Sequence, residues 1–284
     1  MKLPRPDRKR RVAFTLVEVL VAMAVLSVMI LFLGAVVTSV NLVSNGARQS
    51  AEDSGNARAI FDLMSRELAA GVSRPDLNQT NWISAANSGT TLAFYSRSTG
   101  SAIDSAGTGT SASYRPLSYI EYTWSQSATN SYLARGDQAV LWTDLPQSSL
   151  PLGYPAATRT APTTTDVLDG VVAFQVTFLQ QDGTFSAGYS STNTIAATVS
   201  LALVDSEAYT MLMNSSKLQA LSTLLNQASA GCTGTEVSGG SATSPKMDWE
   251  SAVNSTPGIN TYPSQVKTGL RFFERTVDLP KPVL

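Results

Sequence analysis

One carboxylate in this sequence stands where solvation physics disfavours it. Glu18 lies four residues into the run 14–37, whose only other clearly polar residues are Thr15 and Ser27. As a helix those 24 residues would span roughly 36 Å at ~1.5 Å per residue, against a hydrocarbon core of about 30 Å. A carboxylate at the centre of such a span costs about 2.5–3.5 kcal/mol, and less near an interface. An acid retained there points to a specific partner. Directly before the run lie Lys2, Arg5, Arg8, Lys9, Arg10 and Arg11, offset only by Asp7. This charge predicts a cytoplasmic N-terminus, with everything beyond Val37 exported. The run is too long for a cleaved secretory signal, and Glu18 would be out of place in its apolar core.

Other reactive constellations are scarce. The sequence contains no histidine, which removes Ser-His-Asp and Cys-His nucleophiles and the commonest zinc ligand. The single cysteine, Cys232, can form no internal disulfide. No glycine-rich phosphate loop follows a strand pattern. The acids Asp104, Asp166 and Asp169 fall in Thr- and Gly-rich stretches that read as solvated loops. None matches an EF-hand, although calcium favours such oxygen donors. The tripeptide Arg135-Gly136-Asp137 reads as a tight hairpin turn between strands at 131–135 and 138–143, in preference to an adhesion ligand. Beyond residue 13 the chain carries 14 Lys/Arg against 20 Asp/Glu. That acidic balance argues against a nucleic-acid partner.

The elements that position Glu18 follow from periodicity. The apolar run continues into an amphipathic stretch with Ala57, Ile60, Phe61, Met64 and Leu68 on one stripe and Arg58, Asp62, Arg66 and Glu67 between them. Gly71 and Pro75 mark its end. Strands are predicted at 91–97, 117–124, 131–135, 138–143, 171–180 and 194–205, with a turn at Asp182-Gly183. A Leu-rich helix is expected over 207–227, a Gly/Ser/Thr-rich loop over about 229–245, and a closing strand over 269–280. The fold class is therefore α+β: a long N-terminal helix packed on an antiparallel β-sheet head with an inserted helix.

The stretch Ala13-Phe14-Thr15-Leu16-Val17-Glu18 after a short basic leader resembles the processing site of type IV prepilins and type II secretion pseudopilins. The resemblance implies a pilin-type helix, transmembrane in its first half. It also implies cleavage by a prepilin peptidase between Ala13 and Phe14, then N-methylation of Phe14. The family's usual residue before the cut is glycine, so Ala13 is a departure. Glu18 becomes an assembly residue whose carboxylate pairs with the positive amine of a neighbouring subunit; burial is then offset only if both partners align.

The resulting domain reading is a basic leader at 1–13, a membrane helix at 14–37, its amphipathic continuation at 38–74 and a β-rich extracytoplasmic head at 75–284. The stretch around 168–178 is similar to J-type minor pseudopilins. The piece from 199 through the Leu-rich helix to 280 looks more like protein C of the Verru_Chthon cassette. Together these imply a non-enzymatic minor subunit near the tip of an envelope filament, anchored singly in the bacterial inner membrane with its head in the periplasm. Its partners would be the peptidase and other pilin or pseudopilin subunits. No cofactor is expected, although the resemblance leaves loop calcium open. The alternatives are a pilus-tip adhesin, a DNA-uptake minor pilin and an anchored envelope binding protein.

Overall fold

The structure is a computed structural model that describes residues 15–72, 83–86, 90–98, 117–139, 163–229, 243–255 and 260–280. It divides into two compact units, 1–49 and 50–284. One helix, α1 (Leu16–Ala69), contributes to both.

In the first unit every described side chain from residue 15 to 48 is exposed. The most apolar 18-residue window of α1 has a mean hydropathy of 2.9 with none of it buried. A helix apolar on all sides has no wet face, so lipid or other helices must cover it.

In the second unit the rear of α1 is buried as its periodicity predicts. Ala57, Ile60, Phe61, Met64 and Leu68 are at most 9% exposed and form the spine of the main core. Two antiparallel sheets meet that spine. Sheet one runs β1 (Ile83–Ala86), β2 (Thr91–Ser96), β3 (Ser118–Gln126), β4 (Ser131–Ala139) and β5 (Thr163–Asp169), in that spatial order. Sheet two comprises β6 (Val171–Gln180), β7 (Phe185–Ser186), β8 (Thr194–Val204) and β9 (Leu270–Asp278), in the order β7-β6-β8-β9. Leu92, Phe94, Ile120 and Leu133 from sheet one, and Phe174, Val176, Phe178, Val199 and Leu201 from sheet two, close the core. Alternate residues point to one face of a strand, so the registers Phe94–Ile120 and Val176–Val199 place these side chains together.

The other face of sheet two is covered by four helices: α2 (Ser206–Asn214), α3 (Leu218–Ala228), α4 (Pro245–Ser255) and α5 (Ser264–Gly269). Their second core gathers Val172, Ala202, Leu212, Leu218, Leu221, Leu225, Trp249 and Val266. The chain passes from sheet one to sheet two at Gly170, whose φ of +73° is open to glycine at little cost. Its N–H donates to the Ser131 carbonyl at 3.0 Å, and its own carbonyl accepts from the Val204 N–H at 3.1 Å.

The α+β class, the long helix, the antiparallel sheets and the Asp182-Gly183 turn agree with expectation; Gly183 has φ +84°. Several details differ. Gly136-Asp137 is not a turn, because β4 is continuous from Ser131 to Ala139 and Gly136 pairs with both Glu121 and Thr164. The hairpin instead turns at 127–130, where the Ser127 N–H donates to the Asn130 carbonyl at 2.7 Å. Ser and Asn side chains offer the backbone local partners that stabilise such turns.

Asp166 and Asp169 lie in a strand, β5, and not in a loop. The single helix expected over 207–227 is two, broken at Ser216 with φ 54° after an Asn-Ser-Ser run that favours turns over helix. Helices α4 and α5 and strands β1 and β5 carry no clear signal in the sequence. Pro75, Asp104, Cys232 and residues 140–143 lie outside the described residues.

Replacing Gly170 by Ala puts a Cβ 3.0 Å from the Val204 carbonyl oxygen in a left-handed conformation. Gly170→Ala is expected to destabilise the head by about 1–3 kcal/mol. The denaturant midpoint followed by near-ultraviolet circular dichroism checks this; an unchanged midpoint contradicts the corner's role.

Candidate assembly site

Glu18 sits in the first turn of α1, where the residues just before it are poised to receive it. The Glu18 N–H donates to the Thr15 hydroxyl oxygen at 3.3 Å. In return, Glu18 Oε2 accepts from the Thr15 N–H at 3.3 Å and from its hydroxyl at 3.4 Å. Thr-x-x-Glu with reciprocal bonds is a capping box, which satisfies backbone donors that a helix start leaves open. A negative charge there also complements the positive end of the helix dipole. This role was readable from the spacing of Thr15 and Glu18, but it was masked by the more conspicuous oddity of an acid in an apolar run.

The cap fixes the carboxylate against the backbone N–H that follows Phe14. It therefore holds a negative charge at the very start of a helix exposed all round. An ammonium group arriving there would meet an oriented acceptor instead of a freely rotating one. Ala13 and Phe14 themselves lie outside the described residues.

At the other end of α1 a second acid is held more tightly. Glu67, only 3% exposed, stands among residues read from the sequence as the polar side of the helix. Arg135 of β4 donates to Glu67 Oε1 through Nη2 at 2.6 Å and through Nε at 3.1 Å. Tyr122 of β3 donates its hydroxyl to Glu67 Oε2 at 2.5 Å. Tyr122 and Arg135 are direct cross-strand partners, so sheet one presents both donors to one carboxylate. Arg135 also lies 3.5 Å from Asp137.

Burial pushes the Tyr122 phenol well above its ordinary range, and the Glu67 charge pushes it further. Burial works against the Arg135 cation, but Glu67 outweighs it and the guanidinium is held more firmly protonated. Arg135 is thus committed to the helix, and the Arg-Gly-Asp tripeptide is part of a strand and not a presented loop. A second helix-to-sheet ion pair joins Asp62 to Arg275 of β9, both partly exposed.

No group of three or more metal-ligating side chains occurs among the described residues. The arrangement instead suits recognition and mechanical coupling: an oriented carboxylate on an apolar helix, and a clamp between that helix's rear and the head.

Residues 8–34 match the prokaryotic N-terminal methylation motif. That match supports a type IV prepilin-like or pseudopilin-like protein. The motif covers Arg8, Lys9, Arg10 and Arg11 of the basic cluster, Phe14, Glu18 and most of the apolar run, and stops short of the buried rear half of α1. It points to a structural pilin type, with processing by a prepilin peptidase and assembly with other pilins as its implication. No curated protein matches the chain.

Two outcomes follow from this clamp. Glu67→Gln leaves Arg135 with only its 3.5 Å pair to Asp137 and weakens the charged hydrogen bonds of the clamp; it is expected to cost about 1.5–3 kcal/mol, measured as a shift in thermal or denaturant midpoint. A cost near zero would mean that the pair contributes nothing to stability. Tyr122 has its acidity weakened in the folded state relative to 10.0, so the fold binds more protons than the unfolded chain above that pH. Its contribution is complete below about pH 10 and is lost as pH rises further. Tyr122→Phe should therefore flatten the alkaline fall in stability. Tyr95, pushed up to about 12 by burial, keeps a residual slope of the same sign.

Proposed function

We propose that this chain is a minor pilin or pseudopilin subunit of a type II secretion or type IV pilus-like envelope filament, near its tip. The observation that carries the proposal is Glu18, held at the start of a helix that is apolar on every side and lies within the methylation motif. Among the described residues, no side chain from 15 to 48 is buried. Side-by-side packing with like helices would cover this surface, and each junction would offer Glu18 a processed N-terminus.

On this proposal residues 1–13 are a leader removed before Phe14, which is then N-methylated and stays cationic. The helix from 14 to 37 anchors the chain once in the inner membrane, its head periplasmic. Residues 38–74 continue the helix into the head at 75–284. A head of this size is hard to repeat along a densely packed filament, which favours a minor, terminal place. The head's acidic balance favours a protein neighbour over DNA.

The test combines intact mass with two Glu18 variants. Protein from its native membrane is expected to begin at N-methyl-Phe14. Gln can occupy the last position of a capping box, so Glu18→Gln keeps the helix start but removes the charge. Loss of co-purifying prepilin-type subunits in both Glu18→Gln and Glu18→Ala is the expected result. Partners retained by Glu18→Gln and lost only in Glu18→Ala would reduce Glu18 to a cap. A chain still carrying its basic leader would make the motif a simple anchor.

A further inference from the structure

The free edge of sheet two lies beside a basic cleft. β9 closes the sheet, and its bonds to β8 fix which backbone groups remain available. The Asp205 N–H donates to the Gly269 carbonyl, and the Leu279 N–H to the Ile195 carbonyl. In an antiparallel ladder this parity assigns the odd-numbered residues of β9 to β8. The N–H and C=O groups of Phe272, Glu274 and Thr276 therefore point outward, and no strand pairs with them among the described residues.

A cleft of about 570 Å³ opens along this edge, between α1 and Lys246 of α4. Ala51 and Gly55 form part of its helical wall, and a Cβ at Gly55 would meet nothing within 4 Å. Phe272 and Phe273, on opposite faces of β9, both reach it half-buried. The edge thus offers main-chain donors and acceptors with apolar surface on either side.

Its charge is distinctive. Arg58, Lys246 and Arg275 line the cleft against the single acid Glu274, although the chain beyond residue 13 is acidic overall. Glu274 is engaged by the Ser200 hydroxyl at 2.9 Å, and Arg275 by Asp62. Among the described residues Lys246 keeps only a loose 3.7 Å pair with Glu250. Arg58 makes no ion pair among the described residues. Charges on an edge strand also oppose pairing with a second copy of the same edge.

We propose that β9 and this cleft form a docking slot for an extended acidic segment of a different neighbouring subunit, added to sheet two as a further strand. Main-chain bonds would supply affinity, and the cations and the two phenylalanines would select alternating acidic and apolar side chains. Only the neighbour's identity rests on the filament reading; binding to the slot is a property of this chain alone.

The test uses the full chain in detergent micelles and fluorescence anisotropy of labelled ten-residue peptides of alternating Val and Glu. Saturable binding is expected, weakened roughly tenfold by Arg58→Glu and again by Lys246→Glu, both on exposed or half-exposed side chains. A Val/Lys peptide, and a Val/Glu peptide N-methylated at every amide so that neither edge can donate, should not bind. Glu274→Pro removes an outward N–H that β8 does not use and should abolish binding with the circular dichroism spectrum retained.

No binding, or equal binding by the Lys or N-methylated peptide, overturns the slot. Tighter binding of an oligothymidylate, or displacement of peptide by self-association of the chain, overturns its occupant. All these readouts are independent of leader processing and filament assembly, so failure here leaves the Glu18 test untouched.

Discussion

The fold depends on one helical stripe. Ile60, Phe61, Met64 and Leu68 are buried with residues of both sheets in the main core. Each such side chain contributes about 1.5–3 kcal/mol on burial. Hydrophobic contact is not directional, so a stripe alone would tolerate some rotation of the helix on the sheets. Glu67 removes that freedom, because its carboxylate must meet both Tyr122 and Arg135. Ser96 adds a further bond from β2 to the Glu67 carbonyl at 2.8 Å. The end of α1 is thereby tied to three adjacent strands of sheet one.

The contrast within α1 carries the functional argument. Its rear is amphipathic and finds its core within the chain. Its front is apolar all round, and its described side chains from 15 to 48 are exposed. Water solvates such a surface poorly, which favours cover by lipid or by other helices. At the start of that surface the sequence places an acid and, with Thr15, orients it. Capping and pairing are compatible roles: a carboxylate has more acceptor sites than the cap uses.

Strong local signals made much of the fold legible. The three- and four-residue spacing of the α1 stripe, the apolar alternation of β8 and the Asp-Gly turn each have one physical explanation. The unread elements lacked such a signal. Among its described side chains β5 buries only Leu168, so its Thr- and Asp-rich sequence resembles a loop. Helix α4 buries only Pro245 and Trp249, too little to establish a period. Gly136-Asp137 had turn chemistry, but nine consecutive pairings with β3 prevailed over it. The site divides the same way. Glu18 stood out because its immediate neighbours made it anomalous. Glu67 did not, because the arginine that explains it lies 68 residues further along, and only the sheet brings them together.

The central claim is that the front of α1 is covered by other subunits and that Glu18 directs this. Its most direct measurement is site-specific photo-crosslinking in native membranes from p-benzoyl-phenylalanine at Leu26, in the native chain and in its Glu18→Gln variant. The account predicts covalent adducts with another prepilin-like chain, identified by mass spectrometry, that disappear when the charge is removed. Adducts with lipid alone, the same in both chains, would contradict it.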